Sequence, residues 1–181
     1  MSKDLEVDAP EEWLVPCYLD ASALVKLVVD EGDVQPLRDF VNSGSNFCTT
    51  PFCLNEALSI LKGKWRRKEN SPAKISEDDY FNATQRLVID VWSRRLLADD
   101  IDFINPETYR TVEAMATRHQ LDLSDALQLV TIQHGFYKAL VSHSAPALIT
   151  ADQGLADAAA REGIRVWHCV NEPRPRWLRT P

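Results

Sequence analysis

Four carboxylates, Asp20, Glu56, Asp125 and Asp152, fall in four separate stretches of the sequence, each bordered by apolar residues. Brought together, such groups repel, and each raises the next one's pKa until a cation neutralises them. Oxygen-only ligands suit Mg²⁺ or Mn²⁺, with water in the remaining positions. A cation held that way activates water and steadies the charge of a phosphoryl transition state, which points to phosphodiester chemistry. Taken singly, Asp20, Asp125 and Asp152 have a simpler explanation. Each lies near a helix start, where an Asp or Ser contributes about 1 kcal/mol by capping. Glu56 lies past any capping turn, with Phe52 and Ile60 one turn to either side. A carboxylate there either points into a polar cavity or carries a desolvation penalty of several kcal/mol.

The elements that would position these groups alternate in type. Val15–Leu19, Asn46–Thr50, Ile101–Ile104, Ala147–Thr150 and Arg165–Cys169 are short apolar runs expected to be strands. Between them lie expected helices: one after Asp20, then Val34–Asn42, Pro51 to about Arg67, and Ser76 to about Leu97. Later ones run from Asn105 to about Gln120, over Asp122–Gly135, and over Gln153–Glu162. Thr50 before Pro51, and Ser76 before three acids, are helix-start signatures. Short apolar strands alternating with helices imply an α/β fold with a parallel sheet covered on both faces. In such a sheet, sites form at the carboxyl ends of strands, where Asp20 and Asp152 fall. Neither Gly-rich phosphate-loop pattern occurs, which argues against a nucleotide fold of those types.

The 181 residues suit one domain, and 45% hydrophobic with 26% charged residues is ordinary globular composition. A net charge of −7 argues against a passive coat on nucleic acid, but not against an enzyme that meets phosphates through a cation. Cys17, Cys48, Cys53 and Cys169 form no C-x-x-C pair and read as buried free thiols of a reducing cytosol. The acidic N-terminus lacks the pattern of a signal peptide, and no apolar run approaches the roughly 20 residues of a membrane span. The expected location is cytoplasmic.

Tyr18–Leu27 (YLDASALVKL), Asn55–Leu58 (NEAL), Leu123–Leu129 (LSDALQL) and Leu148–Ala159 (LITADQGLADAA) resemble, in order, the acidic motifs of PIN-domain ribonucleases. The closer resemblance is to the VapC-like toxins of bacterial toxin–antitoxin pairs, over about Pro16 to Val170. It implies a PIN-like three-layer α/β/α fold with a central five-stranded parallel sheet. It also implies that Asp20, Glu56, Asp125 and Asp152 hold one or two Mg²⁺ or Mn²⁺ ions, with Ser22 and Thr150 orienting carboxylates or waters. Implied partners are an RNA substrate, a small antitoxin that covers the acidic groove, and a second copy of the chain. On this reading residues 1–13 are an N-terminal extension, 14–170 the nuclease domain and 171–181 a tail. The chain exceeds the smallest toxins by a long helix near Ser76–Leu97 and a longer stretch, Gly135–Pro146, before the fourth strand.

Other features have plainer readings beside the functional one. Lys62, Lys64, Arg66, Arg67 and Lys68 surround Trp65 and suit an RNA backbone, or equally a solvated helix end. Asp122, one turn before Asp125, is an outer acid or simply the helix cap. The histidines are scattered, with no ligand spacing. Trp92 and Leu96 are expected in the core or a dimer seam. Two rival functions are a catalytically silent binding module and an aspartyl-phosphate phosphatase or receiver domain. A phosphatase would prefer Asp-x-Asp, and position 22 is Ser.

Overall fold

The computed structural model describes residues 15–30, 34–44, 47–140, 145–170 and 172–178. Five strands are present: β1 (Cys17–Leu19), β2 (Phe47–Thr49), β3 (Leu96–Ala98), β4 (Ala147–Thr150) and β5 (Arg165–His168). They form one parallel sheet in the order β3-β2-β1-β4-β5. Eight helices lie among the described residues. The first four are α1 (Ala21–Val28), α2 (Gln35–Asn42), α3 (Pro51–Trp65) and α4 (Glu77–Trp92). The others are α5 (Pro106–His119), α6 (Leu123–His134), α7 (Phe136–Leu140) and α8 (Gln153–Arg161).

The strand order explains the layers. The chain moves outward from β1 to β2 to β3, then crosses back to β4 and β5 on the other side of β1. Right-handed crossovers put the helices of the first leg on one face and those of the second on the opposite face. The two cores follow. Cys17, Leu19, Phe47, Leu96, Ile149 and Trp167 pack with α1 to α4, while Tyr18, Cys48 and Leu148 pack with α5, α6 and α8. Successive strand residues thus alternate between two apolar layers, so every strand is apolar throughout. The expected α/β fold with a five-stranded parallel sheet is the one observed.

The third strand is a correction. It is Leu96–Ala98, paired with Phe47–Thr49, and not Ile101–Ile104. The expected helix to Leu97 ends at Trp92, because Arg94 turns left-handed at φ 59° and reverses the chain. Leu96 then enters one core, and Leu97 packs against the other. Ile104 is 90% exposed in the turn before Asn105, which caps α5. The stretch after Gly135 also contains a short helix, α7, that apolar periodicity over five residues cannot reveal. The expected N-terminal extension lies outside the described residues. Of the expected tail, Leu178 is buried in the first core, and the Arg174 guanidinium lies 5.6 Å over the Phe40 ring.

Asp99, just past β3, was not singled out by sequence, yet it is buried and accepts hydrogen bonds from Tyr18 Oη and the backbone of Phe136 and Tyr137. A Cβ at Gly135 would lie 2.5 Å from Asp99 Oδ2, so only glycine lets α7 start against this carboxylate. All four cysteines are free and buried. Burial pushes their thiols up to about 12, which leaves them as packing groups and not nucleophiles.

Candidate active site

The strand order reverses between β1 and β4, the switch point at which open parallel sheets place their sites, at the carboxyl edge. Asp20 leaves β1 there and Asp152 leaves β4. Asp20 is 4% exposed and caps α1, accepting from Ala23 N at 2.7 Å. Thr150 Oγ1 donates to its Oδ2 at 2.7 Å, and Ser22 Oγ lies 2.9 and 2.8 Å from its two oxygens. Both hydroxyls are in turn held by the turn after β4. Ser22 Oγ accepts from Ala151 N, and Thr150 Oγ1 accepts from Asp152 N, each at 2.8 Å. Each hydroxyl therefore relays a backbone N–H of that turn to the Asp20 carboxylate.

A carboxylate offers about four lone-pair sites. Ala23 N, Thr150 Oγ1, Ser22 Oγ and the Ser22 backbone all address the Asp20 carboxylate, which holds it rigid. Burial raises its pKa to about 6, against the opposing effect of the hydrogen bonds from Ala23, Thr150 and Ser22. Replacing Thr150 by Val removes one of those bonds and strips Asp152 N of its acceptor. The expected result is a loss of about 1–3 kcal/mol in stability and an acid-side midpoint of activity displaced to higher pH. Denaturant melts and a pH–rate profile read the two effects separately.

The other acids approach from three helices. Asp152 caps α8 through Leu155 N at 2.8 Å and is exposed. Glu56 is half-buried on the flank of α3, whose inner stripe is Cys53, Ala57 and Leu61. Asp125 is half-buried in the first turn of α6, where the helix dipole ordinarily favours a carboxylate. Its pKa is nevertheless raised to about 7, by burial first and then by the charges of Glu56, Asp20, Asp152 and Asp122. The Cys53 thiol, raised first by burial, is raised further by the charges of Asp20, Glu56 and Asp125. The structure thus brings the four sequence-selected acids within range of one another's charge. Asp122 occupies the N-cap position of α6, but its side chain makes no cap bond, so the capping reading does not hold for it.

Among the described residues, no three Asp, Glu, His or Cys side chains stand at metal-ligand spacing. The donor set still fits a hard divalent cation in its chemistry. It is oxygen-only, and Asp20 is held fixed by its hydrogen bonds. Glu56, Asp125 and Asp152, half-buried or exposed, have room to rotate inward once their repulsion is neutralised.

The basic residues stand apart. At 1.5 Å rise per residue, α3 carries Lys62 about 9 Å below Glu56, and Arg66 and Arg67 follow the end of the helix, about 15 Å or more below it. Lys62, Arg66 and Arg67 are exposed, and Lys64 is half-buried. Gln128, one turn after Asp125, is fully buried, and its amide finds no hydrogen-bond partner among the described residues. Its position between apolar neighbours gave no sequence signal. His168 is buried with Nε2 3.2 Å from Ala151 O, behind the turn that carries Asp152. His119 pairs with Glu162, away from the acids.

Residues 17–161 match the family model of the PIN domain, which spans most of the sheet and all four acids. The chain belongs to the PIN-domain family, generally a nuclease fold. It is similar in fold to the crystal structure of PAE2754 from Pyrobaculum aerophilum, at 20% identity and TM-score 0.52, over 84% of this chain and 90% of that one. No curated protein matches the sequence.

Proposed function

We propose that this chain is a divalent-cation-dependent endoribonuclease and the toxin component of a toxin–antitoxin pair. The observation that carries the nuclease reading is the convergence of Asp20, Glu56, Asp125 and Asp152 at the β1–β4 edge, where burial and then the neighbouring charges suppress ionisation of Asp125. Mg²⁺ or Mn²⁺ held by these acids supplies a nucleophilic water at neutral pH and charge stabilisation for the phosphoryl transition state. Asp20 fixes the position of the site. Ser22 and Thr150 hold Asp20 and tie it to Asp152. Asp122, uncapped and exposed, is placed to orient solvent from outside the cluster. Lys62, Lys64, Arg66 and Arg67 lie too far down α3 for the phosphate being cut, and suit phosphates of the flanking strand. The partners are RNA and a small antitoxin covering the acid edge. The location is the cytoplasm, in keeping with four free cysteines and no described helix long and apolar enough to cross a membrane.

A second reading, a PIN-fold module that binds RNA or protein without cutting, draws on one observation: no three acids stand at ligand spacing among the described residues. Product analysis separates the two. Cleavage in Mn²⁺ or Mg²⁺ that leaves 5′-phosphate and 3′-hydroxyl ends is the expected result, since attack comes from water. Cyclic 2′,3′-phosphate ends would contradict it, because they arise from the ribose hydroxyl. RNA binding that survives EDTA, with no cleavage, would favour the silent module.

A further inference from the structure

Helix α6 is buried without interruption from Ala126 to Ile132, and within that run only Gln128 and Thr131 are polar. Thr131 is satisfied, its hydroxyl donating to Leu127 O at 2.8 Å. Gln128 is not. Its amide carries two donors and an acceptor with two lone pairs, and neither Nε2 nor Oε1 has a partner. Arg38 also has an unpaired nitrogen, but its guanidinium still donates to Val29 O, and Thr84 leaves only one hydroxyl. Gln128 is the only amide among the described residues that is buried and unpaired at both ends. Buried polar groups are paired as a rule, and a Met or Leu here would fill the space without the desolvation penalty. Such a residue needs a use that outweighs its burial.

The helix directs the amide. Helical side chains lean toward the N-terminus, so a long one covers the turn before its own Cα. For Gln128 that turn holds Ser124 and Asp125, at the end of α6 that meets the other acids. Gln and Asp one turn apart on a helix are a known hydrogen-bonding pair. We propose that Gln128 is a positioning residue of the acid site, its Nε2 donating to the Asp125 carboxylate when that carboxylate turns inward as a cation ligand. A ligating carboxylate keeps lone pairs off the cation, and a donor to them fixes its orientation. An amide supplies that donor with no charge of its own. A Lys or Arg in its place would neutralise Asp125 and compete with the cation. Ser124, half-buried four residues before Gln128, carries a hydroxyl that can donate to Oε1. The inference rests on the reading of the acids as a cation site.

Mn²⁺ binding to the full chain, followed by electron paramagnetic resonance of the free ion, tests it without recourse to activity. Gln128→Met keeps nearly the same shape without the amide. It is expected to weaken Mn²⁺ binding about tenfold or more, the scale of losing a hydrogen bond behind a metal ligand. Its melting temperature without Mn²⁺ is expected to equal or exceed the parent's, because an unpaired buried amide has been removed. Gln128→Leu is expected to behave alike, which separates loss of the amide from the packing of one replacement. Equal Mn²⁺ affinity in parent and variants would overturn the role of Gln128 and leave the cation site standing. Both variants melting well below the parent without Mn²⁺ would also overturn it, since the amide would then serve the fold. A parent with no affinity for Mn²⁺ would remove the cation site and the inference with it.

Discussion

Asp20→Asn is expected to lower the initial rate of RNA cleavage by about 10³-fold or more, the scale of losing a group that fixes transition-state charge. Its geometry isolates the charge from the fold. Asn keeps an oxygen that can accept from Ala23 N and so cap α1, while the other position becomes a donor facing Thr150 Oγ1. The Thr150 and Ser22 hydroxyls can turn, so the local network adjusts with modest loss of stability. A variant that folds like the parent and fails to cut would place the loss in the chemistry. Glu56→Gln tests the same charge from a different element and is expected to act in the same direction.

Asp125→Asn is expected to stabilise the cation-free protein near neutral pH while removing its activity. Asp125 is raised to about 7 from the ordinary carboxyl value of 3.8, which fixes the sign. Between those values the native chain holds a proton that the unfolded chain has released, so stability falls as pH rises through the window. The contribution is fully present below the unfolded value and is lost once the native carboxyl ionises. Asp20, raised to about 6, acts in the same direction. For Asp125 a shift of this size is nominally several kcal/mol, but the group is half-exposed, and solvent screening reduces it to about 1–2 kcal/mol. That corresponds to about 4 °C in melting temperature for a domain of this length at about pH 8, and to little difference at about pH 4. Added Mn²⁺ is expected to raise the melting temperature of the parent at the higher pH, because a cation that binds only the native state stabilises it. An Asp125→Asn variant that melts below the parent at about pH 8 would show that the acids do not repel as described.

The two outcomes together describe a site that destabilises the fold until a cation fills it. Functional sites commonly carry such local conflict, and the conflict is what the sequence partly disclosed. Asp20 and Asp152 were legible because each directly follows an apolar run that could only be a buried strand. Glu56 was legible because a carboxylate in the second turn of a helix, between Phe52 and Ile60, has no capping role. That they share one edge of the sheet followed from the rule that sites form at the carboxyl ends of parallel strands, but that this edge is the β1–β4 switch point depends on the crossing from β3 back to β4. The relay through Ser22 and Thr150 was not derivable from spacing, because it joins residues 128 apart. Asp122 misled for a related reason. It holds the position of a cap without making the cap's hydrogen bond.

The missed strand has a local cause. Arg94 and Arg95 precede a run of only three residues, Leu96–Ala98, while Ile101 and Ile104 offer apolar residues in a turn. The left-handed Arg94 that separates α4 from β3 carries no residue-type signature, since the usual signal is Gly or Asn. Asp99 was hidden because its partners, Tyr18 and the start of α7, lie 81 and about 37 residues away.

The acid edge is expected to cut RNA only with a divalent cation. The most direct test is the cleavage of end-labelled single-stranded RNA by the purified chain, with and without Mn²⁺, beside Asp20→Asn. Cleavage that requires Mn²⁺ and disappears in Asp20→Asn is the result predicted here. Cleavage that proceeds in EDTA, or that continues at the parent's rate in Asp20→Asn, would contradict it.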